Sequence, residues 1–165
     1  MPTPTCPLTE RELATWRSWV LASRTFETHV ERLLTESTGL ALVDYELLDS
    51  LAHAEEPMRM CDLGASVALT RSGTTRAVTR LENMGLVERR KSDTDGRSTV
   101  VGVTEEGRAR HGQATGVFVP ELRRNVLGAL TDQEQDNLRV ASELIRTTTL
   151  GTPACRTQLA DLVDA

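Results

Sequence analysis

Apolar residues recur at helical spacing along most of this chain. From Glu10 to about Ser37, Leu13, Trp16, Trp19, Val20, Phe26, Val30, Leu33 and Leu34 cover nearly half of a helical circumference. Thr9 and Glu12 form a T-x-x-E capping box at its start, and Gly39 stops it. A stripe this wide exceeds what one small core covers, so it predicts two packing partners, one of them a second subunit. A second helix is predicted from about Leu42 to His53, with Tyr45, Leu47, Leu48 and Leu51 inward, and Glu55-Glu56-Pro57 breaks it. A short helix from about Cys61 to Ala68 and a turn at Leu69-Thr70 lead into a further helix, Arg71 to Met84. Gly85 stands where a left-handed terminator is wanted. Two helices joined by so small a turn are a helix-turn-helix candidate.

After Gly85 the periodicity changes. Leu86-Val87 and Thr99-Val100-Val101 read as two short strands around Ser92-Asp93-Thr94-Asp95-Gly96, whose Asp-Gly pair favours a tight or bulged turn. Thr104 then caps a long helix opening with Glu105 and Glu106, which suit the helix dipole, and Pro120 is expected to kink it. Thr131 and Glu134 form a second capping box. The final helix runs to about Thr147 with Leu138, Ala141, Leu144 and Ile145 on its apolar side, and the tail beyond it reads as a loosely docked extension. The expected fold is mainly α with a small β component (α+β).

Helix 71–84 has an unusual outer face. At 3.6 residues per turn, Thr74, Ala77, Val78 and Leu81 form its anchoring side. Ser72, Thr75, Arg76, Thr79 and Asn83 lie opposite, with Arg71 and Arg80 at the borders. Gly73, near the helix start, is expected to let the preceding helix approach closely. Hydroxyls and arginines are poor choices for helix stability alone, where Glu, Lys and Gln serve better. They suit a DNA major groove, in which arginine bonds guanine bidentately and short hydroxyls reach phosphates or base edges.

The net charge of −5 seems to oppose nucleic acid, but charge is segregated. Between Thr70 and Lys91, six basic residues (Arg71, Arg76, Arg80, Arg89, Arg90 and Lys91) face only Glu82 and Glu88, leaving +4 locally and −9 elsewhere. Arg89, Arg90, Lys91 and Arg97 give the hairpin a second contact at the adjacent minor groove or its phosphates, with Asp95 placed to aim Arg97. Aromatic residues are only 3% of the chain, so aliphatic side chains build the core. The N-terminus lacks the basic start and apolar run of a secretory signal, and no run spans a membrane, which together point to the cytoplasm. Cys6, Cys61 and Cys155 are scattered and make neither a disulfide framework nor a metal knuckle.

With these residues in place, the chain resembles the multiple antibiotic resistance regulator (MarR) family of bacterial transcription factors. The matching stretches are GLALVDYELLDSL (39–51), RMCDLGASVALTRSGTTRAVTRLENMGLVERR (59–90), DTDGRSTVVGVTEEGR (93–108) and LTDQE (130–134). The resemblance spans about Leu8 to Arg146. It implies a winged helix-turn-helix lobe (about 42–104) on dimerisation helices (about 8–38 and 105–148), with 149–165 as a C-terminal extension. It further implies a homodimeric repressor on a palindromic operator of double-stranded DNA, released by a small aromatic or phenolic effector bound between dimer region and lobe. Carried over by motif, Ser72, Thr74, Thr75 and Arg76 fall in the recognition-helix stretch and Arg97 is the wing arginine. Cys61 stands where relatives often place a capping Ser or Thr, Gly64 where alanine is usual, and Gly96 where a second arginine is common.

Rival readings divide by chemistry. Cys6 raises redox sensing, but only Arg11 is near enough in sequence to lower its pKa; Cys61, beside an apolar run, reads as buried and inert. His29, His53 and His111 fall on separate helices, which disfavours a metal site. Trp16, Trp19 and Tyr45 are candidates to line an effector pocket, with Arg17 or Arg59 pairing a carboxylate, although a tryptophan at helical spacing is more often core. No nucleophile stands beside a base and no phosphate-binding glycine loop occurs, so catalysis is not expected and no cofactor is implied. A winged helix that docks another protein through its basic face is the remaining alternative.

Overall fold

Helix α1 (Glu10–Thr38) starts at the expected box: the Thr9 N–H donates to the Glu12 carboxylate at 2.7 Å, and the Glu12 N–H donates to Thr9 Oγ1 at 3.3 Å. It ends at Gly39, whose φ of 72° is left-handed. The computed structural model describes residues 7–91 and 99–149. The wide apolar stripe of α1 divides along its length. Val30 and Leu34 are buried in the core and Phe26 packs against it, whereas Trp16 and Trp19 are 54% and 43% exposed and touch each other edge to face at 5.5 Å.

Helix α2 (Leu42–His53) buries Tyr45, Leu47, Leu48 and Leu51 as its pattern predicts. Strand β1 (Met58–Arg59) has no counterpart in the sequence reading, because two residues after a proline carry no measurable period. It pairs antiparallel with β3 (Thr99–Val103), which also pairs with β2 (Val87–Lys91), giving the order β1-β3-β2. The expected hairpin is thus one part of a three-stranded sheet, and its first arm extends through Arg89, Arg90 and Lys91. Residues 92–98, including the expected Asp-Gly turn, lie outside the described residues.

Helix α3 (Met60–Ser66) starts one residue earlier and ends two earlier than expected. Its N-cap is Arg59, without a side-chain cap, so Cys61 is not the capping residue. The helix closes on Ala68, which adopts φ 54°, while the N–H groups of Ala68 and Leu69 donate to the carbonyls of Ala65 and Gly64. Thr70 then caps α4 (Arg71–Asn83) by accepting from the Gly73 N–H, and Gly85 (φ 74°) ends it. Leucines and valines from α1, α2, α3, α4 and the sheet, among them Leu34, Leu48, Leu63, Val78 and Val101, make one core.

Helix α5 (Glu105–Asn125) begins at the Thr104 cap and holds Pro120 within its span. Its start presses on the sheet: a Cβ on Gly107 would stand 2.0 Å from the Leu86 carbonyl oxygen. α5 returns along α1, where Phe118 meets Phe26 and His29 Nε2 lies 2.7 Å from Glu121. A 3₁₀ turn (Leu127–Ala129) leads to α6 (Asp132–Thr149), which carries the second capping box. No residue of α6 is buried, and Leu138, Val140, Leu144 and Ile145 are all exposed. Among the described residues no helix is long and apolar enough to cross a membrane.

Candidate nucleic-acid interface

Helix α4 divides as its wheel predicts. Thr74, Ala77, Val78 and Leu81 are buried, and Arg71, Ser72, Thr75, Arg76 and Thr79 are exposed. Thr74 is therefore a correction to the DNA-contact set. It is 2% exposed, its hydroxyl donates to the Thr70 carbonyl at 3.0 Å, and its side chain faces α3. The close approach between α3 and α4 occurs at Gly64, where a Cβ would stand 2.3 Å from Thr74 Oγ1. Gly73 is less crowded: the atoms nearest to a Cβ there belong to Thr70 and Leu69, the helix's own cap and turn, at 3.2 Å and beyond.

The basic cluster is less free than its sequence suggests. Arg80 is bound to Asp44 of α2: Nε donates to both carboxylate oxygens at 3.1 and 2.9 Å, and Nη2 to Oδ1 at 2.5 Å. Asp44 is 1% exposed and also accepts the Ala41 N–H at the start of α2. Hydrogen bonding to that carboxylate pushes the Arg80 pKa still higher, against a smaller opposing effect of burial. Arg80 thus fastens α4 to α2 while its side chain stays 48% exposed. Arg89 reaches back from β2 to α4, pairing with Glu82 at 3.0 Å and donating to Thr79 Oγ1 at 2.7 Å. Arg90 pairs with Glu88 at 3.3 Å on the strand itself. Among the described residues, Arg71, Arg76 and Lys91 have no ion-pair partner. Arg97 and Asp95 lie outside the described residues.

Sequence reasoning missed Asp44 and Glu82 as organisers of this face. A carboxylate in the first turn of a helix reads as dipole compensation. Nothing in spacing links Asp44 to an arginine 36 positions away.

The four effector-pocket candidates do not converge. Trp16 and Trp19 contact each other on the exposed part of α1. Tyr45 is buried, stacked on His111 at 5.7 Å and tilted against Phe118 at 4.7 Å. Arg59 is exposed on β1, within the sheet. The cleft between α1 and α2, of about 430 Å³, is lined instead by Glu27, Thr28, Glu31, Leu42, Val43 and Glu46. Burial raises the Glu46 pKa, and the charges of Glu27, Glu31 and Asp49 add to that rise. Cys61, read as buried, is exposed, with its thiol 3.4 Å from Asp62 Oδ1. Each histidine lies beside a carboxylate, His29 beside Glu121 and both His53 and His111 beside Asp49, and no cluster of ligand-type residues able to hold a metal occurs among the described residues.

A short helix, a left-handed turn, a second helix with a polar outer face and an antiparallel strand pair beside it define a winged helix-turn-helix protein. A family model described as "MarR family" matches residues 38–98. The MarR regulator Sco3205 of Streptomyces coelicolor, solved in complex with DNA, is 32% identical; the alignment covers 90% of this chain and 96% of that one, with a TM-score of 0.80. AbsC, a MarR family regulator of the same organism, is 28% identical over 90% of this chain and 100% of that one, with a TM-score of 0.83. The uncharacterised HTH-type regulator YdgJ of Bacillus subtilis is 38% identical over 73 residues, 44% of either chain. Matches to curated relatives therefore span less than half of those proteins' lengths, whereas the solved structures match nearly throughout. The chain belongs to the MarR family.

Proposed function

We propose that the protein is a sequence-specific transcriptional regulator of double-stranded DNA, acting as a homodimeric repressor on a palindromic operator. One observation carries this reading. The exposed side of α4 presents Arg71 and Arg76, without ion pairs among the described residues, beside the hydroxyls of Ser72, Thr75 and Thr79. These are hydrogen-bonding groups short enough to sit in a major groove, on a helix whose other side is locked into the core. Lys91 and Arg97 are the wing's contribution, directed at phosphates or the neighbouring minor groove. The uncovered apolar faces of α1 and α6 supply the second subunit's contact, so residues 8–38 and 105–148 form the dimerisation region and 42–104 the DNA lobe. Its place of action is the cytoplasm.

The transcriptional regulator PcaV of Streptomyces coelicolor, 28% identical to this chain, is solved in complex with its natural ligand. An effector entering the α1–α2 cleft meets Glu27, Glu31 and Glu46, which repel an aromatic acid and leave a neutral phenol as the aromatic class that fits.

Footprinting on the DNA upstream of its own coding region tests the reading. A protected pair of half-sites about one duplex turn apart is expected. Arg76→Ala is expected to weaken binding by about 1–3 kcal/mol and to blur preference at one position. Unchanged binding would remove α4 from the groove.

A further inference from the structure

We propose that Arg89 is a positioning residue for DNA reading: anchored by Glu82, it fixes the wing strand on the recognition helix and leaves the Thr79 hydroxyl facing outward as a hydrogen-bond donor. The inference rests on the DNA-binding role proposed for α4.

Successive side chains of a strand point to opposite faces. Val87 and Arg89 of β2 therefore share a side, and it is the side on which Val87 is buried. Arg89 thus turns toward α4 while its neighbours Glu88 and Arg90 pair with each other on the other side. Its guanidinium finds acceptors at three positions along one stripe of the helix. Nη1 lies 3.0 Å from Glu82 Oε2, and Nη2 donates to Thr79 Oγ1 at 2.7 Å and to the Thr75 carbonyl at 3.3 Å. An arginine meant for a phosphate keeps its fork open, since bidentate recognition needs parallel N–H groups free. Both terminal nitrogens of this fork contact the protein's own recognition helix, and its side chain is only 27% exposed.

The consequence falls on two neighbouring hydroxyls. Thr75 Oγ1 donates a hydrogen bond to the Arg71 carbonyl at 3.0 Å, so it offers lone pairs to the outside. Thr79 Oγ1 accepts a hydrogen bond from Arg89 Nη2, and among the described residues it donates to nothing. A hydroxyl has one proton and two lone pairs, so the charged donor leaves Thr79 poised to donate. Thr79 then suits acceptors on base edges (N7, O6 or O4), and Thr75 suits the exocyclic amino groups of adenine or cytosine. Without Arg89 the Thr79 hydroxyl turns freely and accepts either, and the wing loses its fixed angle to the helix. Glu82 is required because it holds the guanidinium from the far end.

The test is selection of preferred sequences from a randomised duplex pool by the full chain and four variants: Arg89→Met, Glu82→Gln, Thr79→Val and Arg76→Ala. The expected result is that the first three flatten preference at the same base position by roughly tenfold, as coupled residues do, while Arg76→Ala flattens a different one. On the preferred duplex, Glu82→Gln is expected to bind more weakly even though it removes a negative charge, with an unchanged salt dependence. Two results overturn the proposal. One is tighter binding by Glu82→Gln. The other is an Arg89→Met protein that weakens on all sequences equally and lowers the salt slope by about one, the mark of a lost phosphate contact. Glu82→Gln and Thr79→Val are nearly isosteric, so the comparison does not depend on Arg89→Met folding well. If the unaltered protein selects no sequence, the DNA-binding proposal itself fails, which is a separate outcome.

Discussion

The Thr74 hydroxyl occupies the space that a methyl group on residue 64 would fill, with an ideal Cβ on Gly64 falling 2.3 Å from Thr74 Oγ1. The two positions are one packing decision, made where α3 crosses α4. Gly64→Ala is expected to destabilise the protein by about 1–3 kcal/mol through overpacking. In a Thr74→Ala background the same change costs much less, because the crowding oxygen is gone. Urea denaturation of the four-member cycle at fixed protein concentration reads this coupling; additive losses would deny it.

Ala68 holds a left-handed conformation that an L side chain resists. Ala68→Gly is expected to raise stability by up to roughly 1 kcal/mol, with the gain limited by glycine's extra freedom in the unfolded chain. A lower midpoint in thermal unfolding would count against the strain at this turn.

Asp44 and Arg80 are unequal partners. Asp44 is buried and Arg80 is half exposed, its side chain 48% accessible. Arg80→Met strands a carboxylate in the core and is expected to cost about 3 kcal/mol, whereas Asp44→Asn lets the guanidinium return to water and is expected to cost about 1 kcal/mol. Equal losses in chemical denaturation would contradict that asymmetry.

Acid should loosen two helix starts. The carboxyls of Glu12 and Glu134 are held below their ordinary value of 4.5, first by the backbone N–H of Thr9 and Thr131 and then by the hydroxyls of the same residues. A carboxylate depressed on folding contributes stability above its unfolded pKa and loses it as pH falls through the folded one. Protection of the amides of residues 10–13 and 132–135, taken against their intrinsic exchange rates, is expected to fall below pH 4.5. Glu134→Gln should remove that acid response from α6 alone.

The exposed stripes of α1 and α6 predict the assembly state. Trp16→Glu or Leu144→Glu is expected to shift sedimentation from dimer to monomer at micromolar concentration, since either places a charge in an apolar interface. A dimer that survives both changes would move the interface elsewhere.

The helices were legible because capping residues and apolar period agree locally. Thr9 with Glu12, Thr104 and Thr131 with Glu134 all cap where they were placed. β1 escaped notice because two residues have no period, and its strand character comes from β3, more than 40 positions away. The face of α4 could be read, but not its electrostatics. Which arginines stand free depends on Asp44 and on an arm of the sheet folding back, and neither is local in sequence. Thr74 shows the same divide: its motif placed it among DNA contacts, and the helical wheel turned it toward the core where the structure has it.

Among the described residues, helix α6 leaves the apolar side chains Leu138, Val140, Leu144 and Ile145 exposed. A lone helix of this length is barely stable in water. In the proposed homodimer its order is borrowed from an encounter between two molecules, and folding of this part becomes a bimolecular reaction. Copy number then acts as a structural parameter: a dilute pool of chains holds a ragged, protease-accessible end, and only accumulation turns it into a rigid scaffold.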